Sequence, residues 1–221
     1  MGNAILVKAG SGGGSGGSGA ALSSSTMTIL AVNTIYACPA AGNYWITCIG
    51  GGGGGGKGWY EDEDGWEYGG GGGGSGYLNQ KLVSLSAGEK VQVTIGAGGG
   101  WTNNRPGSTG GTTTFGSYLS ASGGTGGQSY TYNNNRFGGT GFSDGTRSDK
   151  INATKYNIPY GGHIYYGVAV NGKLAFKNTC SYDDVHGAVF PYGAGGYGQW
   201  KQNDNKDSTG YGGCVVVEYI N

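Results

Sequence analysis

Charge is scarce in this sequence. Charged residues make up 12% of it, with 13 basic and 13 acidic side chains and a formal net charge of zero. That is about half the usual share of a globular chain, and the balanced charge argues against a nucleic-acid partner, which needs a basic stripe to neutralise phosphates. No apolar run reaches the roughly 18 residues that a helix needs to cross a bilayer, and no membrane insertion is expected. The first eight residues are too short to hold a charged start and an apolar region, so no secretory signal is read there. No segment of helical length carries a 3.6-residue apolar period. Only 2 histidines and 4 cysteines occur. Cys38, Cys48, Cys180 and Cys214 have no CxxC spacing, which argues against a zinc or redox motif. Cys48 and Cys214 lie in apolar runs and read as small buried hydrophobes; a disulfide is left open.

Glycine and tyrosine are what the sequence has in abundance. Gly accounts for 54 of 221 residues, and the aromatics include 17 Tyr and 5 Trp. Glycine without period commonly means a flexible chain. Disordered chains, however, are poor in aromatics and rich in charge, the reverse of this composition. The glycines are therefore expected inside the fold. The length suits one sizeable domain or two small ones.

The chain divides into residues 1–28 and 29–221. In the first part Ile5, Leu6, Val7 and Lys8 form a short apolar segment followed by a Gly/Ser tract, 10–19. They read as a docking peptide that adds a strand to a partner's sheet, on a flexible tether, with a frayed end as the plain alternative. From residue 29 onward the signals are those of strands: 28–32, 44–49, 81–85, 90–95, 112–115, 164–170, 173–177 and 214–220. Val91, Val93 and Ile95 alternate with Gln92 and Thr94, as in a strand with one buried face. The tetrad 86–89 is expected to close a hairpin. Asn171-Gly172 predicts a second hairpin, with a type I′ turn.

Uninterrupted glycine runs cover 50–56 and 69–74, and looser ones 96–100, 107–111, 123–127, 138–141 and 193–198. With no side chain to bury, such runs need backbone partners to be ordered. A bundle of extended, left-handed threefold helices would supply them, with N–H···O bonds and Cα–H···O contacts between chains. Strict G-X-Y repetition is absent, so collagen is excluded.

The ordered set NYWITCIGGGGGGGKGW, GGGGGGSGYLNQKLVSLSAGEKVQVTIGAGGG, GSTGGTTTFGSYLSASGGTGG and GYGGCVVVEY resembles the glycine-rich domain of bacteriophage and prophage tail fibre proteins. Residues 128–185 are least like the pattern. It is also similar to the glycine-rich region of the anaplastic lymphoma kinase ectodomain. The resemblance implies an all-β fold: a β-sandwich of the tumour-necrosis-factor or jelly-roll type with inserted polyglycine II helices, in which strands 44–49 and 214–220 share a sheet. The opening GNAILVKAGSGG looks like the start of tail appendage proteins from phages of Clostridia-like hosts. A homotrimer in the virion tail is implied, with other tail or baseplate proteins and a host-surface glycan or protein as partners.

Three clusters are candidates for recognition. Glu61 and Asp62 open an acidic run flanked by Trp59, Tyr60, Trp66 and Tyr68, between the two glycine runs. These rings could stack on sugars while the carboxylates take hydroxyls or a cation; a solvated cap is the plain alternative. Calcium ligation is not supported by an EF-hand pattern. Tyr130, Tyr132 and Arg136, with intervening asparagines, have the make-up of an adaptable binding loop, and Trp101 begins a similar stretch. Each of these also reads as a turn. Cys180, Asp183, Asp184 and His186 are close in sequence but read as a polar loop. No GxSxG or HExxH motif is present, and no carboxylate pair stands out for glycoside cleavage. No enzyme activity, cofactor or metal is expected. The leading reading is a tail fibre or tip that binds the host; the alternatives are a purely structural tail component and, last, a polysaccharide depolymerase.

Overall fold

The computed structural model describes residues 5–8, 26–61, 66–68, 70–101, 106–129, 138–141, 150–152, 163–166, 176–179, 192–196 and 208–220. Among these the protein is all-β, with antiparallel pairing throughout and no helix. The strands are β1 (Ile5–Lys8), β2 (Thr26–Leu30), β3 (Thr34–Ala37), β4 (Gly42–Ile49), β5 (Trp59–Glu61), β6 (Trp66–Tyr68), β7 (Leu78–Leu85), β8 (Lys90–Thr94), β9 (Thr113–Phe115), β10 (Leu119–Ala121), β11 (Lys150–Asn152), β12 (His163–Tyr166), β13 (Phe176–Thr179) and β14 (Cys214–Ile220).

Two larger sheets carry the core. One has the order β1-β2-β14-β4-β7 and the other β10-β9-β8-β3. Alternation decides which side of each strand goes in. In β8, Val91 and Val93 are buried while Lys90, Gln92 and Thr94 are exposed, the period of two dictated by the pleat. Tyr44, Ile46 and Cys48 of β4, Val83 and Leu85 of β7, and Val215 and Val217 of β14 meet Val91, Val93, Phe115 and Ala121 from the second sheet. Phe115 packs against Tyr36, with ring centroids 5.8 Å apart, and against Tyr118 at 6.3 Å. β14 lies between β2 and β4, and its run CVVVE is buried on both faces. Its second face joins Met27, Ile49 and Tyr192 in a smaller apolar cluster through Cys214 and Val216. As the resemblance implied, β4 and β14 pair, Cys214 opposite Ile49 through Ile220 opposite Asn43.

The tetrad 86–89 corrects an expectation. It turns the chain, with Gly88 at φ 75°, but it closes no hairpin. β7 pairs with β4, and β8 with β3 and β9. Val83 and Leu85 face the core from one sheet and Val91 and Val93 from the other, so the turn is a corner that carries the chain across the sandwich. Cys38 holds it in place: its N–H donates to the Glu89 carbonyl at 2.8 Å and its carbonyl accepts from the Gly88 N–H at 2.8 Å. β12 and β13 pair on either side of Asn171-Gly172; that turn lies outside the described residues. Cys38, Cys48 and Cys214 are free and buried, and Cys180 lies outside the described residues.

The glycine-rich stretches form a second layer continuous with the sandwich. Their segments are g1 (50–57), g2 (70–77), g3 (96–101), g4 (106–112), g5 (122–129), g6 (138–141), g7 (192–196) and g8 (208–213). Along g1 the bonding partner changes with every residue and returns at every third. The N–H groups of Gly50, Gly53 and Gly56 donate to Tyr77, Gly74 and Gly71 in g2; those of Gly51 and Gly54 to Gly111 and Ser108 in g4; those of Gly52 and Gly55 to Tyr211 and Ser208 in g8. The carbonyls of g1 accept from the other three sides: Gly51 and Gly54 from Gly124 and Gly127 in g5, Gly52 from Gly99 in g3, and Gly53 from Gly196 in g7. These six neighbours also bond to one another in the cyclic order g2-g5-g4-g3-g8-g7, closing back on g2. Segment g1 is thus the enclosed axis of a ring, and g6 lies outside it against g2 and g5.

This placement accounts for the spelling of the glycine runs. A Cβ on Gly53 would overlap the carbonyl of Thr125 in g5, one on Gly51 that of Ala97 in g3, and one on Gly52 that of Ala194 in g7. No side of g1 tolerates a side chain, and its run is unbroken. Segment g5 sits on the rim. Cβ atoms on Gly123 and Gly126 would strike g4, and on Gly124 and Gly127 would strike g2, whereas Ser122, Thr125 and Gln128 are exposed. Its sequence reads S-GG-T-GG-Q, one side chain per three residues on the single open side.

Candidate functional site

Chain direction decides where the candidate residues gather. Strands β4, β8 and β10 run directly into g1, g3 and g5, while g2, g4 and g8 run directly back into β7, β9 and β14. The sandwich therefore meets one end of the bundle. At the opposite end, here called the apex, g1, g3, g5 and g7 finish and g2, g4, g6 and g8 begin. Of the clusters singled out in the sequence, 59–61, 66–68 and Trp101 stand at this end.

The structure places five of the candidates on one small sheet at the apex. β5 and β6 continue g1 and g2 and pair with each other, and β6 pairs with β11. Register sets Trp59 opposite Tyr68, Tyr60 opposite Glu67 and Glu61 opposite Trp66. Lys150 lies opposite Tyr68 on the other side, and Asn152 opposite Trp66. Two acidic and four aromatic positions thus fall within two short paired strands. Asp62, Tyr130, Tyr132 and Arg136 lie outside the described residues. Trp101 ends g3 at the apex and is half-buried. The segment Ile5–Lys8 stands apart from these. It is strand β1, the edge of the first sheet, with Ile5 opposite Ile29 and Lys8 opposite Thr26 of its own chain.

Three residues under the apex were not read from the sequence. Lys57, directly after the seven glycines, is only 7% exposed, and its N–H donates to Ser129 Oγ at 3.1 Å, tying g1 to g5. The register of g8 on g3, from Gly210 to Gly99 and Gly213 to Gly96, sets Ser208 level with Trp101. Ser208 Oγ and Trp101 Nε1 are both buried without a hydrogen-bond partner among the described residues. A lysine closing a glycine run was the one available signal; nothing local marks Ser208. Position 208 lies on the enclosed side only because g8 belongs to the ring.

The sandwich has a polar feature of its own. An open groove of about 510 Å³ is lined by Asn79, Lys81 and residues 116–120, and Asn79 Nδ2 donates to the Ser120 carbonyl across it at 2.6 Å. None of the sequence candidates lies there. Beside it, Glu89 accepts from the Ser86 N–H at 2.9 Å and from the Tyr118 hydroxyl at 2.5 Å. Those two bonds hold its carboxyl below the usual carboxylate range, the Ser86 amide contributing most, and the bond to Glu89 raises the Tyr118 hydroxyl. Among the described residues no three His, Cys, Asp or Glu side chains gather to hold a metal ion.

A family model for a glycine-rich domain matches residues 28–220, from β2 to the end of β14. No curated protein matches the chain.

Proposed function

The chain belongs to the glycine-rich domain family, and on that premise we propose that it is a tail fibre or tail tip protein of a bacteriophage or phage-tail-like particle, fixed to the tail by its N-terminal segment and binding the host cell surface with the apex of its bundle. The observation that carries this reading is the polarity of the molecule. The aromatic and acidic positions of β5 and β6, together with Trp101, stand at the end of the bundle away from the sandwich to which β1 belongs. Recognition residues on connections held by a rigid scaffold are a recurrent solution, and tyrosine, tryptophan and asparagine give such connections rigid rings beside adaptable amides.

The glycine segments are taken as polyglycine II helices, a reading supported by the return of each bonding partner at every third residue, since a threefold helix has three residues per turn. The sandwich is taken as a jelly roll of the tumour-necrosis-factor type, supported by the adjacency of β2 and β14, its early and final strands. The working unit is a homotrimer in the virion tail, and three apices would raise weak glycan or protein binding through avidity. The protein acts by adhesion and not by catalysis.

The test is binding of the purified full chain to clostridial cells, compared with the Trp59→Ala/Trp66→Ala variant. Loss of binding, with the same melting temperature as the parent, is the expected outcome. A parent that binds none of the cells refutes the adhesion role. A variant that binds as well as the parent removes the β5–β6 hairpin from it.

A further inference from the structure

Taking the homo-oligomer reading above as given, we infer that copies of this chain meet bundle to bundle, through the flank formed by g3 and g4. The two sides of the ring differ. Residues 70–76 of g2 and 193–196 of g7 are all buried, whereas Ala97, Pro106, Ser108, Thr109 and Thr112 are exposed. The covered side shows how a further segment attaches. Segment g6 lies against g2 and g5 through Gly139 N–H to the Gly72 carbonyl at 2.7 Å and Thr125 N–H to the Thr140 carbonyl at 2.8 Å. An added chain is therefore held by the same backbone bonds that hold the ring.

Among the described residues, the open flank leaves such bonds unused. Segments g3 and g4 are locked together by Ser108 N–H to Gly100 at 2.9 Å and Gly111 N–H to Ala97 at 2.7 Å. The N–H groups of Ala97, Gly98 and Gly100 and the carbonyls of Gly107, Thr109 and Gly110 have no protein partner among the described residues. The Gly98 carbonyl and the Thr109 N–H are unpaired too among the described residues, so g3 offers mostly donors and g4 mostly acceptors. The side chains are short, and a Cβ on Gly100 would meet nothing within 4 Å. No charged residue occurs in 96–100 or 106–129.

An open row of backbone groups is a template for pairing, and proteins that avoid such pairing place charges along the row. This row carries none. Because most of the donors lie on g3 and most of the acceptors on g4, the contact joins unlike surfaces, g3 of one copy to g4 of the next. Contacts of that kind close into rings when the rotation allows. The occupant is a second copy of this chain and not an unrelated protein, since each copy presents both halves of the contact.

The test compares the molar mass in solution of the full chain and of the Ala97→Arg/Thr109→Arg variant, by light scattering over a dilution series. Both substitutions are at exposed positions on the rim, so the melting temperature should stay that of the parent. An oligomeric parent and a variant whose association is weakened at least about tenfold, as expected when like charges are juxtaposed at a contact, support the proposal. Amide exchange around 97–100 and 107–110 should also slow in the parent as concentration rises. An oligomeric parent with an equally oligomeric variant, or with no concentration-dependent protection there, overturns the flank contact and leaves the oligomer reading intact. A monomeric parent overturns both.

Discussion

Replacing Gly53 with alanine tests the bundle at its most enclosed point. Gly53 donates to the Gly74 carbonyl at 2.9 Å and accepts from the Gly196 N–H at 2.8 Å. A methyl group there would overlap the carbonyl of Thr125. To admit it, g5 must draw away from g1, which loosens the bonds from Gly124 to Gly51 and from Gly127 to Gly54, both 2.9 Å. Two bonds lost at about 1 kcal/mol each, with about 1–3 kcal/mol of overpacking strain, give about 3–5 kcal/mol. The stiffer unfolded chain returns about 0.4–1 kcal/mol, leaving a net destabilisation of about 2–5 kcal/mol. Thr109→Ala, at an exposed rim position, should change stability by no more than about 0.5 kcal/mol. Urea denaturation followed by circular dichroism and tryptophan fluorescence measures both. A Gly53→Ala protein as stable as the parent, or more so, would refute the account of why that run is unbroken.

Phe115 is fully buried between the sheets, so Phe115→Ala should cost about 3–5 kcal/mol in the same assay. The Cys48 thiol is pushed up to about 12 by burial, and burial also raises Cys214; both should resist a thiol reagent at pH 8 in the folded protein and react at once in denaturant. Glu89 titrates below its ordinary value, so its bonds stabilise the fold above the usual carboxylate range, and that contribution is lost as pH falls through the lowered value. In Tyr118→Phe, a carbon-13 titration of the Glu89 carboxyl should show partial recovery toward the ordinary value, because the Ser86 amide remains; an unchanged titration would remove Tyr118 as a cause.

The sequence was most readable where side chains alternate. β8 and β14 were located to within a residue because Val91 and Val93, and the run from Cys214, have an apolar pattern that only a strand can bury. β3 and β10 were missed: Thr34–Ala37 and Leu119–Ala121 are three or four residues long, and their burial depends on Phe115 and Val93 from strands distant in sequence. The corner at 86–89 was misread because a tight turn between two alternating runs looks the same whether the runs pair or face each other across a core. Within the bundle the order of the ring could not be read, yet its interior could. Seven consecutive glycines mean a segment touched on every side, and S-GG-T-GG-Q means one side left open. The acidic and aromatic cluster was legible as a connection between two glycine runs. Its sharing of an end with Trp101 followed only from the alternating directions of g1, g2, g3 and g4.

Strand and glycine segment are one unbroken path on either side of the β5–β6 hairpin: β4 into g1 going out, g2 into β7 coming back. Force applied at the tip is therefore carried down two legs that are cross-linked along their whole length, first glycine to glycine and then through the β4–β7 ladder. Tugging loads those bonds lengthwise and all together, so they resist as a set. A rod tethered at its base in flowing liquid and gripping a surface at its far end would draw its toughness from that arrangement, with hardly a side chain taking part.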